Sequence, residues 1–147
     1  MLVSYPALFY YSPSEDNSYF VYFPDLGGTG TQGETIEDAL FMASDYLGIV
    51  IADIVESGEK LPKRTDMNKL SLIDDFPFKD DKEFDGFYDL EQSFVSMVCV
   101  DIEKYFESQK LVKKTLNIPK WSNDIGNRLN LNFSKVLTEA IQEIALR

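Results

Sequence analysis

Residues 111–147 carry the pattern of one short strand followed by two amphipathic helices. The stretch from Lys113 to Pro119 alternates polar and apolar side chains and stops at a proline, which suits the first turn of a helix. Apolar residues then recur at helical spacing in two stretches, Trp121, Ile125 and Leu129 in the first and Phe133, Val136, Leu137, Ala140, Ile141 and Ile144 in the second. A lone strand leaves its hydrogen-bonding edge open, so one strand and two short helices cannot close a core. The pattern therefore predicts pairing with the same strand of a second copy.

This arrangement predicts a ribbon-helix-helix module over residues 109–147, in which two paired strands lie in the major groove of DNA. If the apolar residues of the strand face the dimer core, period-two alternation turns Lys113, Thr115 and Asn117 toward the base edges. The start of the last helix exposes N–H groups that can hold a DNA phosphate. The side chains expected beside that phosphate are Asn132, Ser134 and Lys135. A module that only dimerises, without DNA, stays open as an alternative.

Charge is distributed unevenly along the chain, which has a formal net charge of −11. Residues 110–147 carry seven basic and three acidic side chains, a net charge of +4, whereas the preceding 109 residues carry −15. Such asymmetry indicates two different partners, an anion for the basic tail and a cation for the acidic body. For the acidic body alone, a surface that merely aids solubility is the alternative.

Residues 1–108 are predicted to form a separate α+β domain. Val3–Tyr11 and Tyr19–Phe23 have the composition of a β-hairpin, and a short third strand is expected around Thr29–Gln32. Thr35 begins a long helix with an apolar stripe, and Phe94–Ile102 is a further strand candidate. Between the helix and that last strand, residues 63–92 form an irregular insertion. It is too aromatic for a solvated linker and too acidic for a core.

Two features of the sequence are also found in enzymes. Gly28-Thr29-Gly30-Thr31-Gln32-Gly33 matches G-x-G-x-x-G, but threonines between the glycines favour a strand, and the expected acidic residue after the next strand is missing. The many carboxylates suit a metal-dependent nuclease, but the sequence does not show that they converge on a metal ion. No catalytic residue, metal or cofactor is therefore predicted.

The remaining composition favours a cytosolic protein without disulfides. Cys99 is the one cysteine, and its apolar neighbours predict a buried structural thiol, because the chain has no histidine that could activate it. No apolar stretch approaches the roughly 20 residues that cross a bilayer, so no membrane association is expected.

Several motifs resemble the HicB antitoxins of type II toxin–antitoxin systems. They are Phe23-Pro24-Asp25-Leu26, Gly30-Thr31-Gln32-Gly33-Glu34-Thr35, Glu37-Asp38-Ala39-Leu40, Val98-Cys99-Val100-Asp101-Ile102 with Tyr105, and Leu116-Asn117-Ile118-Pro119. Where relatives tend to have glycine between the tail helices, this chain has Asn130, which tolerates a left-handed conformation. Phe133 stands where relatives often have a basic or polar residue, and it is expected to join the core.

The resemblance implies a partly degraded ribonuclease-H-like β-β-β-α-β domain without nuclease activity, followed by the ribbon-helix-helix module. It also implies a partner, a small basic HicA-type toxin that cleaves mRNA, and repression of the shared operon through operator DNA. A homodimer through the C-terminal strand is expected, with a dimer of dimers as a further possibility. The residues expected to contact the toxin are Asp25, Asp74, Asp75, Phe76, Asp80, Asp81 and Phe84.

Two rival functions remain open at this point. The first is an active ribonuclease-H-type nuclease that uses acids such as Asp25 and Asp101 with magnesium. The second is a stand-alone DNA-binding regulator whose N-terminal domain senses a small ligand.

Overall fold

Residues 1–106 contain a four-stranded antiparallel sheet in the order β3-β2-β1-β4. Its strands are β1 (Leu2–Tyr11), β2 (Tyr19–Tyr22), β3 (Thr31–Gly33) and β4 (Asp89–Asp101). The computed structural model describes residues 1–27 and 30–147. Gly28 and Thr29 lie outside the described residues, and with them part of the glycine motif and the start of the expected third strand.

Strand β1 is the centre of this sheet, because β2 pairs with one of its edges and β4 with the other. The register places Leu8 opposite Tyr22 on one side and Val95 on the other. Six consecutive residues, from Tyr5 to Tyr10, are buried, so both faces of the strand are covered. A strand that is buried on both faces has a nearly continuous apolar sequence, and β1 has one.

Helix α1 (Ile36–Glu56) covers one face of the sheet and begins at a reciprocal cap. The hydroxyl of Thr35 accepts the backbone N–H of Asp38 at 3.1 Å, and the Asp38 carboxylate accepts the N–H of Glu34 at 2.9 Å. These bonds satisfy donors that a helix start otherwise leaves open. The side chains that it buries are Ala39, Ala43, Leu47, Ile51 and Ala52. The predicted helix and its cap are confirmed.

A second compact unit, Glu107–Arg147, contains helices α2 (Lys120–Arg128) and α3 (Phe133–Ala145). Between them Asn130 has a φ of 54°, the left-handed conformation expected there. The aromatic ring of Phe133 lies against Gly126, where an added Cβ would come within 2.4 Å of it. The side chain is still 41% exposed in the single chain, so its expected burial in a core is not seen there.

The segment from Lys113 to Ile118 has no secondary structure in the single chain, where no neighbouring strand in the described residues bonds to it. Its pairing with a second copy stays a prediction. One expectation from the sequence is corrected by the structure. Cys99 is exposed, although a buried thiol was expected. It lies on the outermost strand of the sheet, and an apolar run does not reveal which of its residues end up at an edge. Among the described residues, no helix is both long and apolar enough to span a bilayer.

Candidate functional site

The acidic-aromatic insertion folds onto the sheet as a cluster of rings. Phe76, Phe78, Phe84, Phe87 and Tyr88 contact one another and the rings of Tyr10 and Phe20 from the sheet, and this set is called the aromatic cluster below. Phe78 stacks on Phe84 with 4.6 Å between ring centroids, and Tyr10 approaches Phe76 at 4.9 Å. Because sheet residues supply part of this cluster, the insertion is anchored to the sheet and does not behave as a linker.

Tyr10 connects the cluster to the chain that precedes it. Its hydroxyl donates to the carbonyl of Leu72 at 2.8 Å while its ring is fully buried. Burial, followed by the nearby carboxylate of Asp75, raises the pKa of Tyr10 well above its usual value. The phenol therefore stays neutral at ordinary pH, as a buried hydrogen-bond donor must.

The predicted toxin-contact acids of the insertion divide into two kinds. Asp75 and Asp81 accept backbone N–H groups, from Ser71 at 2.8 Å and from Glu83 at 3.0 Å, and so shape the turns of the insertion. Asp74 and Asp80 are exposed to solvent, as is Asp81, whereas Asp75 is half-buried. The structure brings Phe76 and Phe84 together, with ring centroids 6.4 Å apart. These six residues thus share one folded segment that presents acidic groups around half-buried rings.

Asp25 lies outside this cluster. Its carboxylate accepts two hydrogen bonds from Thr65, from the backbone N–H at 2.8 Å and from the hydroxyl at 2.5 Å. Asp101, the other acid that a nuclease would use, accepts from the Met1 ammonium at 2.8 Å and from the N–H of Glu103. That ammonium bond holds the pKa of Asp101 below its usual value. Both acids are therefore engaged in bonds that hold segments of the chain together.

Beside the aromatic cluster lies an open cavity of about 470 Å³. It is lined by Ser12, Glu15, Asp16, Asn17, Phe20, Gln32, Phe84, Phe87 and Tyr88. Burial, and then the charge of Glu15, raises the pKa of Tyr88. Glu15 and Asp16 lie in the turn of the predicted hairpin and are not among the residues predicted to contact the toxin. The available signal was their position in a hairpin turn directly before the aromatic strand β2.

No cluster of three or more histidine, cysteine, aspartate or glutamate side chains arranged to hold a metal occurs within residues 1–27 and 30–147. Asp25 and Asp101, the acids of the nuclease hypothesis, belong to no such cluster. The described geometry therefore gives that hypothesis no metal centre to build on.

In the second unit the predicted DNA-contact residues are all exposed. Lys113, Thr115 and Asn117 precede α2 in a segment without secondary structure. At the start of α3, the side chain of Asn132 accepts the N–H of Lys135 at 3.1 Å and caps the helix. This bond satisfies one of the free N–H groups, so a phosphate there would have the remaining groups of the first turn.

The apolar stripes of this unit are exposed in the single chain. The exposed side chains are Leu116, Ile118, Trp121, Ile125, Leu129, Leu131, Phe133, Val136, Leu137, Ile141 and Ile144. A stable unit of 41 residues cannot leave that much apolar surface in water, because a core this small needs oligomerisation or a similar reinforcement. The exposed apolar stripes of this unit are therefore suited to contact a partner.

Comparison with known proteins was consistent across sequence and structure. Residues 5–120 match the model of the HicB_like antitoxin family of bacterial toxin–antitoxin systems. "Antitoxin HicB 1" of Photorhabdus laumondii is 46% identical over 50 residues, which are 34% of this chain and 32% of that protein, so the match spans about a third of the curated relative.

Among solved structures, a toxin–antitoxin complex from Streptococcus pneumoniae contains a chain that is 53% identical to this one. The TM-score is 0.70, and the match covers 97% of this chain and 99% of that one. The crystal structure of the Burkholderia pseudomallei antitoxin HicB is 20% identical over 97% of this chain and 98% of that chain, with a TM-score of 0.52, which shows a shared fold. The protein described here belongs to the HicB-like antitoxin family of bacterial toxin–antitoxin systems.

Proposed function

We propose that this protein is an antitoxin that binds and neutralises a small basic HicA-type toxin and represses its own operon by binding DNA. The observation that carries the proposal is the family match over residues 5–120, with a chain 53% identical to this one in a toxin–antitoxin complex. The mode of action is binding without catalysis, and the place of action is the cytoplasm, where an mRNA-cleaving toxin finds its substrate.

Charge supports the assignment of the toxin to the first unit. Residues 1–106 carry seven basic and 21 acidic side chains, a net charge of −14. Such a surface attracts a cationic protein and competes with RNA for its basic groups. We assign the toxin contact to the exposed acids around the aromatic cluster, Asp74 and Asp80, with Asp75, Phe76, Asp81 and Phe84 shaping that surface. Asp25, held by Thr65, we assign to stability instead.

The second unit has the features that DNA binding would need. Its charge is positive, its apolar stripes need a partner, and residues 113–118 keep the alternation of a strand that has no neighbour. We propose that this segment pairs with that of a second copy to form a ribbon-helix-helix dimer, and that two dimers can bridge adjacent half-sites. Lys113, Thr115 and Asn117 would contact bases, and Asn132, Ser134 and Lys135 would contact phosphate.

The order β3-β2-β1-β4 with one covering helix supports a further structural assignment. We assign the first unit to a partly degraded ribonuclease-H-like fold, in which the strand and helix order is kept and the metal-binding acids are not. The nuclease rival would be revived by magnesium-dependent cleavage of an RNA–DNA hybrid that is lost on Asp25→Asn.

Co-expression tests the central proposal. The protein is produced with the small basic protein encoded beside it, and the pair is analysed by pull-down, light scattering and cell growth. We expect a stable complex and restored growth. Separately, Lys113→Ala, Thr115→Ala and Asn117→Ala should weaken operator binding and leave the protein complex intact. Equal loss of both activities in these variants would show that the tail supports the whole fold.

A further inference from the structure

Strand β4 is the outermost strand of the sheet and also its longest. It has 13 residues, whereas the strand at the opposite edge, β3, has three. In the described part of the chain no strand pairs with its outer side. From Ser93 to Val100 its sequence contains no charge, proline or glycine.

The direction of each backbone group of β4 follows from its register. Ile102 donates its N–H to the carbonyl of Met1 at 3.0 Å, which marks the two as a hydrogen-bonded pair. Such pairs alternate along an antiparallel ladder, and the register is uninterrupted from residue 94 to residue 101. The backbone groups that point away from the sheet therefore belong to Val95, Met97, Cys99 and Asp101.

Independent contacts agree with this assignment. The hydroxyl of Ser44 on α1 donates to the carbonyl of Cys99 at 3.1 Å, so this carbonyl is reached by a group outside the sheet. Met97 lies opposite Pro6, a residue that has no N–H to give in such a pair. The carbonyl of Met97 accepts the hydroxyl of Ser96 at 3.2 Å. A carbonyl has two lone pairs, so each can still accept an N–H from another strand.

Between Phe94 and Val100 the outer edge of β4 lacks the features by which proteins protect such edges, because the register shift and the acidic residues of the strand lie toward its two ends. Natural edge strands are short, bulged, charged or interrupted by proline, because an open row of N–H and C=O groups pairs with any available strand. Here apolar side chains border the row. Met97 is 37% exposed, Cys99 is exposed, and Leu2, on the neighbouring strand, is 73% exposed. An edge of this length and composition is suited to accept a strand.

We propose that β4 accepts an added strand from a positively charged partner protein, extending the sheet across the interface. The proposal rests on the proposed antitoxin function and adds the edge of β4 to the acids around the aromatic cluster as a contact with the same partner. Charge selects the occupant. The first unit carries −14, so a second copy placed edge to edge would repel it, whereas a cationic partner meets Asp89 and Glu91 at the start of the strand.

The direct test is residue-resolved amide hydrogen exchange of the full chain, alone and in complex with the small basic protein encoded beside it. In the free protein the N–H groups of Val95, Met97 and Cys99 should exchange fast, while the inward N–H of Val98 should exchange slowly. In the complex the three outward groups should become protected. A complex that leaves all three unprotected would overturn the strand-addition proposal while the antitoxin function stands.

A pair of variants at one position gives the second readout. Met97→Pro removes an outward N–H without removing a bond to β1, and proline is tolerated at such edge positions. Its matched control, Met97→Ala, removes the same side chain and keeps the N–H. We expect Met97→Pro to lower the affinity for the partner by about tenfold or more, and Met97→Ala to change it by less than about threefold. Equal affinities of the two variants, at unchanged circular dichroism, would contradict strand addition.

The remaining outcomes are also decisive. If the unaltered chain does not bind the basic protein, both the proposed function and this inference fail. If the outward amides of the free chain become protected as protein concentration rises, the occupant is a second copy, and the choice of a cationic partner is wrong.

Discussion

Substitution of Asp25, the acid of the Phe23-Pro24-Asp25-Leu26 motif, tests whether this residue stabilises the fold or contacts a partner. Its carboxylate accepts both the N–H and the hydroxyl of Thr65, which joins the segment after β2 to the segment that follows α1. Replacing Asp25 with alanine leaves these donors without their acceptor. We therefore expect Asp25→Ala to destabilise the first unit and to leave its binding chemistry unchanged.

The size of the effect follows from the two bonds. A hydrogen bond to a charged acceptor contributes about 1.5–3 kcal/mol, and because the side chain is half-buried the lower end applies. Asp25→Ala should therefore cost about 2–3 kcal/mol in the free energy of unfolding. Thr65→Val, which keeps the backbone N–H and loses the hydroxyl, should cost about 1.5 kcal/mol. For a unit of this size, Asp25→Ala should lower the melting temperature by about 10 °C or more.

Urea unfolding followed by far-ultraviolet circular dichroism measures the stability, and calorimetric titration with the partner at low temperature measures binding. Asp74→Ala, at an exposed acid of the insertion, is the control and should change stability by less than about 0.5 kcal/mol. A double-mutant cycle of Asp25 and Thr65 isolates the interaction between them. If Asp25→Ala has the same free energy of unfolding as the unaltered chain, the structural role of Asp25 is refuted. If that variant also no longer binds the partner, Asp25 has a binding role.

Substitutions at three further positions test the packing and the backbone conformation of the two units by the same unfolding method. Gly33→Ala should cost about 2 kcal/mol or more, because its Cβ would meet the backbone nitrogen of Ala39 at 2.4 Å; a neutral change would refute this close approach. Tyr10→Phe should cost about 1 kcal/mol below pH 10. The folded state raises the pKa of this phenol, so its contribution is complete below the ordinary value of 10.0 and is lost as pH rises above it. The variant should therefore lose less stability in alkali, and parallel curves would contradict the assigned cause. Because Asn130 has a φ of 54°, Asn130→Ala should cost about 1 kcal/mol and Asn130→Gly almost nothing. Unfolding of this unit is followed by the fluorescence of Trp121, the one tryptophan of the chain. Equal stabilities of the two variants would argue against the left-handed turn.

Local signals were sufficient to predict the helices of this fold. The first helix could be placed from Thr35, Asp38 and an apolar stripe, because a cap and a period of 3.6 residues lie within one stretch of chain. The same holds for the cap at Asn132 and for Asn130, where only a few residue types tolerate a left-handed backbone. Each of these features depends on neighbours within about four residues in sequence, so one sequence contains all the information that they need.

The pairing of strands could not be predicted in the same way. Ser4 and Cys99 are opposite each other in the sheet although nearly the whole first unit separates them in sequence. Strand preference depends on neighbours across the sheet, and those are set by the tertiary fold. The sequence therefore indicated a strand around Cys99 and gave no indication that it lies at an edge with an exposed thiol.

In the candidate site, too, local features could be predicted from the sequence and contacts between distant segments could not. The alternation of acids and aromatic rings in residues 63–92 set the insertion apart from a linker, but the rings that receive it, Tyr10 and Phe20, belong to distant strands. Glu15 and Asp16 escaped notice because a turn with acidic residues is typical of any hairpin. Their position with Tyr88 in the lining of the open cavity is visible only in the folded chain.

Both units of this chain expose a surface that is suited to a partner, and the two surfaces differ in chemistry. The edge of β4 offers backbone groups bordered by apolar side chains on a unit of charge −14, which favours an extended segment of a cationic protein. The second unit offers two apolar helix stripes and an unpaired alternating segment on a basic surface, which favours an identical copy and then an anion. Because the two proposed contacts involve separate compact units, substitutions that abolish one should leave the other intact. Binding of two different macromolecules by separate units is the arrangement that an antitoxin acting as its own repressor requires.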